Sequence, residues 1–260
     1  MSTDPQTIDW YNENAEGYAA HVRNPEDSIF HSLYEKPAMY KLLPDLKGKS
    51  VLSLGCGSGE DSAYLKAQGA ERSVGIDISS GLIEIARRDH TDCEFLVMNM
   101  EHLDFPDASF DFAYSSLAIH YLEDWSSMFS EVYRILKPGS QFQFSCGHPI
   151  YSALKKTEDT PERSVRQLAL ITDRTAKTAE VVGGYLGRRK LDDALKHMGV
   201  ITWHKPISEI INEATSAGFL VEKFVEPKPL EKMKEISMRD YVKLSEVPYF
   251  MVIRLLKPVV

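Results

Sequence analysis

Val51-Leu52-Ser53-Leu54-Gly55-Cys56-Gly57-Ser58-Gly59-Glu60 decides how this 260-residue chain is read. The first residues, aliphatic but for one serine, predict a buried strand, and the glycines after them predict a tight turn where backbone approaches a ligand closely. A helix-forming segment follows, Glu60 through Gln68. Its first backbone N–H groups lack partners within the helix and point back at the turn, so the strand's carboxyl end suits a polar ligand. A second apolar run, Ser73-Val74-Gly75-Ile76-Asp77-Ile78, brings in an acid about 20 residues past the turn, where a carboxylate accepts hydrogen bonds from a ribose diol. The glycine order is G-x-G-x-G, at 55, 57 and 59, not the G-x-G-x-x-G of a dinucleotide pyrophosphate site. Glu60 beside it would repel a pyrophosphate and tolerate an ammonium or a sulfonium, which disfavours an NAD(P)-dependent oxidoreductase.

Outward from this stretch, the chain divides into four parts. Residues 1–47 read as a helical preface: Ile8 to Ala20 stopped by Asn24-Pro25, then Ile29 to Leu43 interrupted by Pro37, with Pro44 and Gly48 leading to the first strand. Residues 48–150 read as a core of alternating strands and helices. Ser79-Ser80-Gly81 caps a helix ending at Arg87 and Arg88, Cys93 to Val97 is a third strand, and Phe110 to Ser115 a fourth. A helix from Asp124 to Leu136 stops at Lys137-Pro138-Gly139, and a fifth strand, Gln141 to Ser145, leads to Gly147-His148-Pro149. This alternation predicts parallel order with right-handed crossovers. Residues 151–205 break the rhythm, with many charges, Gly183-Gly184 and Gly187, and read as an inserted cap. Residues 206–260 complete the core with a helix from Ile207 to Ala214 and strands Phe219 to Val225 and Tyr249 to Leu255; Pro227 to Val247 reads as charged surface.

With 43% hydrophobic and 26% charged residues, the composition is that of an ordinary soluble globular protein. A net charge of −8 argues against a large nucleic-acid footprint, although Arg188-Arg189-Lys190 forms a local basic run. Cys56, Cys93 and Cys146 are an odd set without metal-ligand spacing, so no metal is expected and they read as reduced thiols of a cytoplasmic protein. No stretch is long enough to span a bilayer, and Asp4 and Asp9 precede any apolar run, unlike a signal peptide.

Five motifs in order, the glycine stretch with Gly75-Ile76-Asp77-Ile78-Ser79, Asn99-Met100-Glu101-His102-Leu103-Asp104-Phe105, Ser109-Phe110-Asp111 and Arg134-Ile135-Leu136-Lys137-Pro138-Gly139, resemble the class I S-adenosylmethionine-dependent methyltransferases. Within these the chain is similar to the methyltransferase type 11 group related to quinone C-methyltransferases. The resemblance covers roughly residues 48 to 148. It implies an α/β fold, Rossmann-like and doubly wound, with a seven-strand, mostly parallel sheet, an antiparallel last strand, an N-terminal helical lid and an inserted cap. It implies S-adenosyl-L-methionine as cofactor and S-adenosyl-L-homocysteine as product. Gly55, Cys56 and Gly57 then turn backbone toward the methionine moiety, Asp77 holds the ribose, and Ile78 flanks the adenine. Asn99 and Met100, with Glu101 beside them, match the adenine-edge positions; the family more often has aspartate and alanine there, and asparagine still accepts from an adenine amine through its carbonyl oxygen. Ser116 and Leu117 match the stretch facing the methionyl amine, and Tyr18 matches a residue that closes over the cofactor or, equally, packs the preface on the core.

The resemblance implies that the protein holds an acceptor in line with an electrophilic methyl and excludes water. A base is needed only where the acceptor loses a proton. His120, one short turn past the fourth strand, is the first candidate and His148, after the fifth, the next; each also reads as a packing or turn-stabilising histidine. Trp203 and His204 are candidates for lining an acceptor pocket or for core filling. The expected acceptor is a small molecule, aromatic or quinone-like. Alternatives are an RNA methyltransferase acting on a tRNA base and a module that senses the cofactor without transferring its methyl. Oligomeric state is open between monomer and dimer.

Overall fold

The computed structural model describes residues 3–195 and 199–259. Two helices, α1 (Pro5–Glu13) and α2 (Ala15–Arg23), open the chain. The Asp4 carboxylate caps α1, accepting from the Gln6 N–H at 3.0 Å, and Pro5 occupies the first turn, where a missing N–H loses nothing. Pro37 breaks the next helical stretch as expected, in a specific way. His31–Glu35 form a π-helical turn, the Lys36 N–H reaching back to the His31 carbonyl, before α3 (Lys36–Lys41) resumes. A proline ring collides with the carbonyl four residues earlier, and the wider turn relieves the collision.

The core alternates as predicted: β1 (Ser50–Leu54), α4 (Glu60–Ala67), β2 (Arg72–Asp77), α5 (Ser80–Asp89), β3 (Glu94–Val97), β4 (Phe110–Ser115), a 3-10 turn (Ile119–Tyr121), α6 (Ser126–Ile135) and β5 (Leu136–Gly147). The fifth strand begins five residues earlier than the sequence suggested. Pro138-Gly139 ends α6 but does not form a loop: Gly139, at φ +80°, sits inside the extended strand, and the β4–β5 register slips between Phe110 and Phe112 beside it.

After β5 come α7 (Pro149–Ala153) and three antiparallel hairpins: β6 (Lys155–Asp159) with β7 (Ser164–Gln167), β8 (Ala169–Asp173) with β9 (Thr178–Val182), and β10 (Arg189–Leu195) with β11 (Val200–His204). The cap boundaries expected at 151 and 205 thus enclose local pairings that join no strand of the main sheet. The chain returns through α8 (Ile207–Ser216), β12 (Leu220–Val225), α9 (Met233–Ile236), α10 (Met238–Glu246) and β13 (Phe250–Leu256). α9 and α10 fall in the stretch read as charged surface, and their inner residues Met233 and Leu244 are buried.

The sheet is seven-stranded in the order β12-β13-β5-β4-β1-β2-β3. The five consecutive strands from β5 to the β3 edge run parallel; β13 is antiparallel to both β5 and β12. Chain order reverses between β1 and β4, which opens a crevice at the carboxyl ends of those strands, where ligands bind in open α/β sheets. One face buries Trp125, Phe129, Phe142, Phe144 and Phe219 in a single cluster, each such ring contributing about 1.5–3 kcal/mol of burial. The other packs Met39, Leu46 and Leu65 against Val51, Phe112 and Tyr114.

Candidate cofactor cleft

At the carboxyl end of β1 the chain turns through Gly55, Gly57 and Gly59, all with positive φ. Two of these positions require glycine for space as well. A β-carbon on Gly55 would meet Ala118 Cβ at 2.2 Å, and one on Gly59 would meet Phe95 at 2.8 Å. The turn is fixed by Asp77, at the end of the neighbouring β2. Its Oδ2 accepts from the Gly57 N–H at 2.9 Å and its Oδ1 from the Ser79 N–H at 2.9 Å. Burial raises the Asp77 pKa, and these backbone donors oppose the rise. The Ile78 N–H adds to these donors, and because a carboxylate offers about four acceptor sites, acceptor capacity remains.

Around Asp77 lies a narrow cleft of about 80 Å³ that opens to solvent. Of the residues singled out from sequence, it brings together Tyr18, Gly55, Gly57, Asp77, Ile78, Met100, Ser116 and Leu117 as lining. Cys56 is a correction: its N–H is spent on the Ile76 carbonyl at 2.9 Å, and its side chain turns away into a cluster with Ile83, Ala86 and Phe95. Asn99 and Glu101 do not line the cleft either. They bond to each other, Asn99 Nδ2 donating to Glu101 Oε2 at 3.1 Å and the Glu101 N–H to Asn99 Oδ1 at 3.0 Å. Glu60, read as a neighbour for a cationic ligand, instead accepts from Ser58 Oγ at 2.7 Å and pairs with Arg23 Nε of α2 at 2.6 Å.

The preface folds over this cleft. Asn12 Oδ1 accepts from Ser79 Oγ at 2.8 Å and from the Gly81 N–H at 3.2 Å, docking α1 on the start of α5. Tyr11, not picked from sequence, joins Tyr18 and Tyr121 as an aromatic wall, with the Tyr11 and Tyr121 hydroxyls 2.5 Å apart. The only sequence signal for Tyr11 and Tyr121 was tyrosine itself, amphipathic and frequent at binding surfaces. The last hairpin of the insertion packs on the same helix, the Ile201 N–H donating to Thr7 Oγ1 at 2.9 Å.

The histidines fare differently. His120 lies in the 3-10 turn behind Tyr121, ring centroids 4.7 Å apart, its Nδ1 without a hydrogen-bond partner among the described residues. Burial, with His31 adding to it, lowers its pKa to about 4, so the ring is neutral at pH 7. His148 caps α7, its Nδ1 accepting from the Ile150 N–H at 3.1 Å, and its Nε2 faces Glu226 at 3.2 Å. Neither lines the cleft. His204 is fully engaged, with Ser152 Oγ at 2.6 Å and the Tyr185 carbonyl at 2.7 Å, which makes it structural; Trp203 is half-buried, its indole N–H without a hydrogen-bond partner among the described residues.

Motif residues beyond the cleft act as staples. Arg134 donates to the carbonyls of Leu103 and Phe105, each at 2.7 Å, and Asp111 accepts from the Ser50 N–H at 3.0 Å and from Lys137 at 2.6 Å. The basic run is engaged within the protein: Arg188 pairs with Glu209 and Glu213, Arg189 donates to the Ser152 carbonyl, and Lys190 pairs with Asp4 at 3.1 Å. Among the described residues no cluster of three metal-ligating side chains occurs, and no helix is long and apolar enough to cross a membrane.

Residues 52–144 match a family model described as a methyltransferase domain. A crystal structure of an S-adenosylmethionine-dependent methyltransferase from Mesorhizobium loti superposes with a TM-score of 0.71 at 28% identity, over 85% of this chain and 97% of that one. An uncharacterized protein of Haemophilus influenzae is 29% identical over 205 residues, 76% of this chain and 77% of its own length. A malonyl-[acyl-carrier protein] O-methyltransferase of Yersinia pestis is 34% identical over 98 residues, and the match spans only 36% of that enzyme.

Proposed function

We propose that this chain, a class I S-adenosylmethionine-dependent methyltransferase, transfers the cofactor's methyl group to a small-molecule acceptor that enters beside the tyrosine wall. The observation that carries the reading is the cleft itself: an acid bonded to the glycine turn, faced by apolar and aromatic side chains and covered by α1. The residues fit an adenosyl ligand. The remaining acceptor capacity of Asp77 would take the ribose diol, Ile78, Leu82 and Met100 would sandwich a flat base, and Gly55 and Gly57 leave backbone bare where the amino-acid end would lie. When bound, the cofactor supplies a methyl on a positively charged sulfur, already activated for in-line attack. The protein's work is orientation and exclusion of water, which Tyr11, Tyr18 and Tyr121 support by closing the cleft with rings rather than charges. His120, two residues past the cleft residue Ala118 though not in the cleft lining, is neutral at pH 7 and is the proposed recipient of an acceptor proton.

The O-methyltransferase activity named for the Yersinia pestis relative makes oxygen acceptors, carboxylic acids included, the first to try beside phenols and quinols. The RNA reading loses its main support, because every member of the 188–190 run is already engaged within the protein. Three cysteines free of disulfides support a reducing, cytoplasmic setting.

The test has two stages. Thermal shifts with S-adenosylmethionine, S-adenosylhomocysteine, NAD and NADP come first, and stabilisation by the two adenosyl sulfur ligands alone is expected. Formation of S-adenosylhomocysteine is then followed with carboxylic acids, phenols, quinols, amines and bulk tRNA. Turnover only with tRNA would overturn the small-molecule reading; no turnover with any acceptor, cofactor bound, would favour a sensor.

A further inference from the structure

Glu35, in the π-helical turn, has a side chain wholly removed from solvent. Its Oε1 accepts from Ser145 Oγ at 2.5 Å, at the end of β5, and from Ser116 Oγ at 3.0 Å, just past β4. Its Oε2 has no hydrogen-bond partner among the described residues. The cation next to it in sequence is spent elsewhere, since Lys36 Nζ bonds to Asp61 at 2.9 Å and the Tyr40 hydroxyl donates to the same Asp61 oxygen at 2.8 Å. A buried carboxylate with a spare oxygen, whose neighbouring cation Lys36 is bonded to another acid, is costly.

That carboxylate stands one hydrogen bond behind the cleft. Ser116 and Leu117 both line it. Ser145, while donating to Glu35, accepts the Leu117 N–H at 3.0 Å, and Leu117 is held at φ +50°, a conformation L-residues adopt only when their surroundings enforce it. Glu35 therefore fixes the two consecutive cleft residues that follow β4 and sets a negative charge behind them.

We propose that Glu35 is a positioning residue and buried counter-charge that makes this cleft prefer the cationic sulfonium cofactor over its neutral thioether product. The inference rests on the reading of the cleft as the S-adenosylmethionine site. It gives the protein a means of releasing product: methyl transfer converts the sulfonium to an uncharged thioether, and the attraction from behind Ser116 ends with it.

The charged and titratable groups facing Glu35 are Asp61 of α4, Lys36 and Tyr40 of α3, and Tyr114 of β4. Burial, reinforced by Asp61, raises its pKa to about 7. The preference is therefore expected to weaken as pH falls through that value.

Dissociation constants of S-adenosylmethionine and S-adenosylhomocysteine are measured by calorimetry from pH 5.5 to 8.5 for the full chain, Glu35→Gln and Glu35→Asp. Expected at pH 8 is a roughly tenfold shift of the affinity ratio toward S-adenosylhomocysteine in Glu35→Gln, with recovery in Glu35→Asp. In the wild type the ratio should shift the same way on acidification, and the shift should be smaller in Glu35→Gln. Asp77, whose carboxylate also lines the cleft, discriminates between the two ligands as well, so only the pH dependence lost in Glu35→Gln is assigned to Glu35. Equal weakening of both ligands in Glu35→Gln, or a wild-type ratio independent of pH, overturns the proposal and leaves the cofactor assignment standing. Binding of neither ligand to the wild type overturns both. If Glu35→Gln does not fold, Glu35→Asp decides: a pH midpoint of the affinity ratio unchanged from the wild type's overturns the proposal.

Discussion

Gly55→Ala tests the glycine turn most directly. The new methyl would sit in a left-handed backbone at φ +63°, 2.2 Å from Ala118 Cβ and 3.3 Å from Met100 Cε. The methionine end can swing aside, but Ala118 Cβ is fixed to backbone, so the carboxyl ends of β1 and β4 must separate. The left-handed conformation costs about 1–2 kcal/mol for a non-glycine residue, and overpacking about 1–3 kcal/mol more. The sum, about 2–5 kcal/mol, does not exceed the 5–15 kcal/mol typical of a folded domain, so the variant should fold and melt roughly 4–20 °C lower. Gly55 and Ala118 both line the cleft, so binding should suffer too. S-adenosylhomocysteine at 100 times its dissociation constant stabilises the wild type by about 2.7 kcal/mol, and a tenfold loss of affinity halves that figure. Differential scanning calorimetry with and without ligand reads both effects. Gly147→Ala is the control, because a β-carbon there meets nothing within 4 Å. A Gly55→Ala protein melting within about 1 °C of wild type, with an undiminished ligand shift, would refute the close-approach reasoning.

Asp77→Ala strips the acceptor from the Gly57 and Ser79 N–H groups; a stability loss of about 2–4 kcal/mol in urea and no thermal shift with S-adenosylhomocysteine are expected. His148→Ala should cost about 1 kcal/mol through its lost cap and leave kcat unchanged, whereas His120→Ala should keep cofactor binding and lower kcat about 100-fold or more; full turnover in the latter removes His120 from the mechanism. Glu35 holds its proton more tightly folded than unfolded, with a pKa of about 7 against 4.5, so its contribution falls by about 3 kcal/mol as pH rises from 4.5 through 7. Urea unfolding at pH 5 and pH 8 should therefore show Glu35→Gln gaining about 2–3 kcal/mol on the wild type between the two, and parallel curves would contradict the buried-carboxylate account.

The legible parts of this chain were those where local chemistry has one solution. Gly55 to Gly59 and Asp77 are close in sequence, and their spacing alone locates the crevice. Pro37 announced an interruption, though not that a π-helical turn would resolve it. The misreadings came from competing partners, some of them only two residues away. Asn99 has the right chemistry for an adenine edge, but Glu101, two residues away, claims its amide. His148 sits at the correct sheet edge, yet the helix it starts uses its ring as a cap. Glu35 was invisible because its partners, Ser116 and Ser145, lie 81 and 110 residues away, and only the completed sheet brings them to it. The insertion's hairpins escaped because their strands are short, charged and mostly exposed, without the alternation that marks a half-buried sheet.

The position of β13 has a bearing on how the protein is made. It pairs with β5 along seven residues, from Phe250 against Gly147 to Leu256 against Gln141. Until it arrives, β5 presents an unpaired edge beside Phe142, Phe144 and Cys146. About 110 residues separate the two strands, so at a ribosomal rate of 5–20 residues per second the nascent sheet waits roughly 5–20 s for its partner. An open apolar edge of that duration invites intermolecular pairing. Yield on overexpression should accordingly depend on chaperone supply during translation more than on the stability of the finished fold.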